Sequence, residues 1–181
     1  MGRLAAQGGF VYSRRVGGSE IFGVPLSESR LFWLKREDFL DKTLFEFERE
    51  TVDRIEISEG DRTLRFQRDG EMWIGQARES FQVKPINVEL LLLTLLNMPW
   101  DDALYPANSI DLEQIRAHGL ENPGRRVVLY DRDGRILASL GQGGQDRTLV
   151  YIRRGADEYF GVKIDDFKPF LDRLNNLFSP L

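Results

Sequence analysis

The sequence predicts an α+β fold in which antiparallel β-meanders pack with helices, and three observations carry that prediction. Short β-patterned runs are punctuated by Gly60-Asp61, Asp69-Gly70 and Asp133-Gly134, and Asp-Gly is the strongest short hairpin signal. Helical patterns fall in blocks, at residues 87–97, at 111–118 and behind Asp165, rather than one after each strand. Without β–α–β alternation, a parallel doubly wound sheet has no support.

Taken in order, the chain opens on a hairpin. Val11 to Arg15 and Ile21 to Val24 are β-rich and separated by a Gly-containing turn. Ser27 then stands before Leu31, Phe32 and Leu34 as the cap of a helix. Strands are expected at 52–58, 63–68 and 71–75, where Ile55 alternates with Ile57 and Leu64 with Phe66, so that one face turns inward. Type I′ geometry is expected at the Asp-Gly turns, because it needs positive φ.

The segment 87–97 is apolar nearly all round, which predicts a helix buried on most sides, with Asn87 as N-cap and Pro99 stopping it. A shorter helix at 111–118 has Gln114 placed to complete a capping box with Asp111, and Gly119 as its left-handed C-terminal residue. Four strands follow, at 126–130, 136–140, 149–153 and 159–162. Gly141-Gln142-Gly143-Gly144, between two of them, reads as a flexible hairpin loop: it lacks the Gly-Lys-Ser/Thr ending and following helix of a phosphate loop. In the closing helix Phe167, Phe170, Leu171, Leu174 and Leu177 recur at helical spacing, with Asp165 or Asp166 as cap.

Part of this order occurs twice. Val11-Tyr12-Ser13-Arg14-Arg15 returns as Val150-Tyr151-Ile152-Arg153-Arg154, and Ile21-Phe22-Gly23-Val24 as Tyr159-Phe160-Gly161-Val162. Hairpin patterning explains the apolar positions but not the paired arginines or the Phe-Gly-Val. Residues 1–43 therefore read as the C-terminal hairpin and helix of a preceding, incomplete module, and 44–181 as a complete α+β module. On this reading the native protein is expected to extend beyond Met1.

Composition limits the chemistry. The 181 residues carry a net charge of -4, where nucleic-acid binders show a basic excess, so no nucleic-acid partner is expected. There is no cysteine, which removes thiolate catalysis and Cys-ligated metal. The apolar run 88–96 is far shorter than the ~20 residues of a membrane-spanning helix. His118, the single histidine, sits in the C-terminal turn of a helix, which accounts for it without catalysis, and no Gly-x-Ser-x-Gly elbow accompanies it. Asp101-Asp102 and Asp165-Asp166 could be paired acid/base carboxylates, but both lie at element boundaries, where Asp serves local hydrogen bonding. Trp33, Trp73 and Trp100 read as packing residues rather than a sugar-stacking surface.

The arginine pairs Arg14-Arg15, Arg125-Arg126 and Arg153-Arg154 mark hairpins. Alternation sends neighbours to opposite faces, so each pair offers one arginine to each side, for cross-strand ion pairing or for an acidic partner. Arg14, Arg15, Arg153 and Arg154 are the candidate partner-binding residues. No catalytic, cofactor or metal-binding residue is proposed from sequence.

Val52 to Ile57, the Trp-bearing strand Met72-Trp73-Ile74, the Leu-rich helix, and Asp111-Leu112 leading to His118-Gly119-Leu120-Glu121-Asn122-Pro123 together resemble a bacterial domain-of-unknown-function family, number 4340. Val127-Val128-Leu129, Leu140-Gly141, Val150-Tyr151 and the closing helix extend the resemblance, and Gly-Leu-x-x-Pro is its most specific feature. The chain departs from the family in His118, where Tyr is common, and in lacking a Pro soon after the Trp-bearing strand. The resemblance implies repeated modules outside the cytoplasm, anchored by an N-terminal transmembrane helix not present in this chain, beside ABC-type transporters related to gliding-motility systems. It assigns no catalytic residues. The expectation is a non-enzymatic, extracytoplasmic binding module whose partner is a membrane transporter component, with no cofactor; the alternative is a cell-envelope enzyme acting on glycans or lipids.

Overall fold

The structure, a computed structural model, describes residues 10–14, 19–25, 42–76, 80–103 and 111–177. The chain divides into two compact units, Met1–Asp41 and Lys42–Leu181. In the first, strands β1 (Phe10–Arg14) and β2 (Ile21–Pro25) pair antiparallel. The helix expected behind Ser27 and the residues Arg15 and Trp33 lie outside the described residues.

In the second unit the described strands are β3 (Arg54–Glu59), β4 (Arg62–Asp69), β5 (Met72–Gln76), β6 (Ser80–Val83), β7 (Asp102–Ala103), β8 (Arg125–Tyr130), β9 (Ile136–Gln145), β10 (Leu149–Arg154) and β11 (Glu158–Lys163). They form one sheet of nine strands in the order β6-β5-β4-β3-β8-β9-β10-β11-β7. Every pairing is antiparallel. Two meanders, β3 to β6 and β8 to β11, therefore share a sheet through the β3–β8 contact, and the predicted α+β class holds. Helices α1 (Pro85–Leu96), α2 (Leu112–Ala117) and α3 (Ile164–Asn176) complete the unit.

Alternation decides which face each side chain takes. Ile55, Ile57, Phe66, Trp73, Val127, Leu129, Leu140, Ile152, Phe160 and Val162 point to one face, where they bury against Val88, Leu91, Leu92 and Leu95 of α1 and Phe167, Phe170 and Leu174 of α3. Each such side chain contributes about 1.5–3 kcal/mol when fully buried, so this face holds most of the stability. A smaller cluster on the opposite face, Ile115, Leu120 and Tyr159 with Tyr151 packed beside it, seats α2.

Several local expectations change. Glu59 pairs with Arg62 and Asp69 with Met72, so Gly60-Asp61 and Gly70-Glu71 are the central turn residues. Only the glycines, at φ 56° and 62°, are left-handed. Positive φ at the first central position alone is the type II′ pattern, not type I′. Helix α1 starts at Pro85 with Lys84 as N-cap and no side-chain cap, because proline's fixed φ suits the first helical position; Asn87 instead donates to the Asn176 carbonyl at 2.9 Å. Helix α3 starts at Ile164, which leaves Asp165 and Asp166 inside its first turn rather than at the cap. Asp111 does cap α2, accepting from the Glu113 amide at 3.0 Å.

The expected loop at 141–144 is strand. Its glycines meet a distant segment: a Cβ on Gly143 would lie 2.4 Å from the His118 carbonyl oxygen, and one on Gly141 2.6 Å from Pro123 Cγ. The Gly144 amide donates to the same His118 carbonyl at 2.7 Å. The Gly-rich run is therefore the bed on which residues 118–123 rest, and side chains there would push them off.

The two similar hairpins share a pairing register. Val11 faces Val24 and Tyr12 faces Gly23; Val150 faces Val162 and Tyr151 faces Gly161. Their surroundings differ: Phe22 is 48% exposed, whereas Phe160 is 7% exposed and packs on Trp100 at 5.6 Å between ring centroids. Strands β10 and β11 have further neighbours in β9 and β7, while among the described residues β1 and β2 pair only with each other.

Candidate functional site: a cleft on the face opposite the helix pair

Opposite the face covered by α1 and α3, the sheet floors a cleft of about 790 Å³, within the ~300–1,000 Å³ range of ligand sites. Cross-strand register builds the floor. Ser58 pairs with Arg126, Arg126 with Gly141, and Gly141 with Arg153, so these residues of β3, β8, β9 and β10 form one row with their side chains on one face. Ser139 lies beside the row and is the one polar residue among the described residues that is buried, at 7% exposure.

One wall is the segment from Glu121 to Gly124, held down where Pro123 covers Gly141 and where the Gly60 amide donates to the Gly124 carbonyl at 3.4 Å. The other wall includes the β10–β11 turn. There the Gly155 amide donates to the Ser139 carbonyl at 3.0 Å, and Arg153 Nε donates to the Ala156 carbonyl at 2.9 Å. Glu121 is drawn outward by a two-pronged pair with Arg116, at 2.9 and 3.2 Å. The Arg116 guanidinium holds the Glu121 carboxyl below its ordinary range, and Glu121 raises Arg116 in turn.

The arginines singled out in the sequence separate as alternation requires. Arg153 faces the cleft and ties its walls together, also donating to the Glu121 carbonyl at 3.4 Å. Arg154 faces the helix side, where it pairs with Glu158 through two 2.8 Å bonds, donates to the Leu44 carbonyl at 2.6 Å and lies over the Phe160 ring. That pairing keeps the Glu158 carboxyl below its ordinary range. Arg14 lies in β1, and Arg15 is outside the described residues. Arg126, Ser58, Ser139 and Asn122 enter the site only with the structure. Arg126 could have been drawn in from its phase on β8, opposite to Val127 and Leu129, but its neighbours depend on register.

None of the residues weighed for catalysis lines the cleft. His118 stacks on Tyr151, centroids 3.9 Å apart and planes 19° apart. Asp101 accepts from the Lys163 amide at 3.2 Å and pairs with Lys163 Nζ, whose pKa it raises. Asp146, a carboxylate the sequence did not single out, accepts from the Leu149 and Thr148 amides, both at 2.7 Å, and from the Tyr151 hydroxyl at 2.8 Å. Those bonds hold its carboxyl far below the ordinary range. Asp146 thus serves a turn, Asp101 ties residue 101 to the end of β11, and His118 is held in a ring stack. Trp73 is buried in the core and Trp100 packs against it.

A family model, domain of unknown function (DUF4340), matches residues 1–123. The chain belongs to that family. The DUF4340 match takes in the features from Val52 to Pro123 that carried the sequence resemblance and ends on the proline that covers Gly141; β8 to β11 and α3 lie beyond it. No curated protein and no solved structure matches the chain. Among the described residues no helix is long and apolar enough to cross a membrane.

Proposed function

We propose that this DUF4340 chain is a non-enzymatic binding module of an extracytoplasmic, membrane-anchored protein working beside an ABC-type transporter, and that the cleft floored by Ser58, Arg126, Gly141 and Arg153 is its binding surface. One observation carries the reading. The cleft presents the Arg126 guanidinium, which makes no hydrogen bond or ion pair with any described residue, on a rigid sheet floor, while Glu121, the one carboxylate on its lining, is paired with Arg116, and Asp101, Asp146 and His118 are engaged elsewhere. A rigid floor with a few convergent polar groups suits recognition. The enzyme alternative requires clustered carboxylates or His118 in one cleft, and of these groups the lining holds Glu121 alone, already paired with Arg116. The equal register of the β1–β2 and β10–β11 hairpins supports reading them as equivalent parts of a repeated module.

The test is affinity capture of the full-length protein from its own membranes, with the captured proteins identified by mass spectrometry. Transporter subunits should be enriched with the unaltered protein and reduced with Arg126→Gln. If intact protein captures no transporter component, the reading fails and an envelope enzyme takes its place.

A further inference from the structure

The charges of the cleft do not balance, and the imbalance names a ligand. Three ionisable residues line it: Arg126, Arg153 and Glu121. Glu121 is neutralised by Arg116, on its outer side. Arg153 spends its hydrogen bonds on the Ala156 and Glu121 carbonyls, which carry no charge to offset its own. Asp61 and Asp157 adjoin lining residues in sequence but are not part of the lining, and Glu56, one pair along from Ser58, is engaged by Arg65 at 3.0 Å and by the Tyr130 hydroxyl at 3.2 Å.

Two guanidinium groups thus face one cleft in a chain of net charge -4, from strands two ladder steps, about 10 Å, apart. An anion between them would relieve their repulsion and fill the donors of Arg126. Guanidinium presents a planar fork that matches carboxylate and phosphate oxygens. The Ser58 and Ser139 hydroxyls and the Asn122 amide stand on the same lining for the ligand's remaining polar atoms.

The geometry points to an oxyanion site: Arg126, with Arg153 behind it, binds a ligand bearing a carboxylate or phosphate group. This rests on the cleft being the module's binding surface and adds the chemistry that it selects.

The experiment is an amide-resonance titration of the isotopically labelled chain with three probes: inorganic phosphate, a blocked triglutamate peptide and a blocked triglutamine peptide. Phosphate, triglutamate or both should shift Gly124, Arg126 and Gly141, and triglutamine should not. Preference between the two anions tells a phosphate source from a carboxylate source. Arg126→Gln should weaken binding at least about tenfold, the effect of losing a charge-assisted hydrogen bond. Lys168→Gln, the same charge change on α3, should leave it unchanged. Raising salt to about 1 M, where the Debye length falls to ~3 Å, should weaken it further. Absence of shifts with both anions, equal binding of triglutamine, or binding indifferent to Arg126→Gln would each overturn the oxyanion site. Capture of transporter subunits that still depends on Arg126 would then leave the binding-module reading standing; loss of both results would remove both.

Discussion

Replacing Gly143 with alanine would place a methyl carbon 2.4 Å from the His118 carbonyl oxygen and 2.9 Å from Leu120 Cδ2. The leucine can turn aside, but the carbonyl is backbone, and it also accepts the 2.7 Å bond from the Gly144 amide. Relief of the clash therefore lifts residues 118–120 from β9. Overpacking of this kind costs about 1–3 kcal/mol, and loss of the hydrogen bond adds about 1 kcal/mol. The sum is a destabilisation of about 2–4 kcal/mol. For a unit of this size each kcal/mol moves Tm by roughly 3–4 °C, so thermal unfolding followed by circular dichroism should show Tm lower by roughly 6–16 °C. Gly124→Ala is the control, since nothing lies within 4 Å of its added Cβ, and it should stay within about 0.5 kcal/mol of the unaltered protein. A Gly143→Ala protein as stable as the Gly124→Ala protein would refute the docking of residues 118–123 on the glycine bed.

Other perturbations have equally definite outcomes. Arg154→Ala removes the Glu158 pair, the bond to the Leu44 carbonyl and the cover over Phe160; with its side chain 30% exposed, it should cost about 1–2 kcal/mol in urea unfolding, and Arg154→Lys should recover little of that because an ammonium lacks the two-pronged fork. Asp146 has a depressed folded pKa, so its stabilising effect is complete above the unfolded-chain value of about 4 and drains away as pH falls below that. Tm of Asp146→Ala should thus lie below that of the unaltered protein at pH 7, and the gap should close on acidification; a gap that widens below pH 4 would contradict the Asp146 turn. Arg126→Gln should leave urea unfolding within about 0.5 kcal/mol of the parent, since the guanidinium bonds to no described residue.

Strands and helices were legible where their causes are local. Ile55 with Ile57 and Leu64 with Phe66 alternate strictly, and the turn glycines mark the ends, so the limits of β3 and β4 shift by only a residue or two. What went unread has non-local causes. Strand β6 has two inward positions, and one of them, Phe81, lies over Gly75, whose missing Cβ makes the room; β7 is two residues long and exists through its pairing with β11. The reason for the glycines at 141–144 is some twenty residues upstream, at His118 and Pro123, so local composition alone suggested a loop. The candidate site follows the same rule. Alternation separates Arg153 from Arg154, but the row that joins Arg153 to Arg126 through Gly141 needs the register of three strands.

The measurement closest to the central claim is site-specific photo-crosslinking in the native membrane, with the full-length protein carrying a photoreactive side chain at Asn122, on the cleft wall, or at Asp172, on the exposed side of α3. A crosslink to a transporter component from position 122, lost when Arg126 is also changed to Gln and absent from position 172, is the expected result. A transporter crosslink from position 172 with none from 122 would contradict the account, because it would put the partner on the helix layer rather than in the cleft.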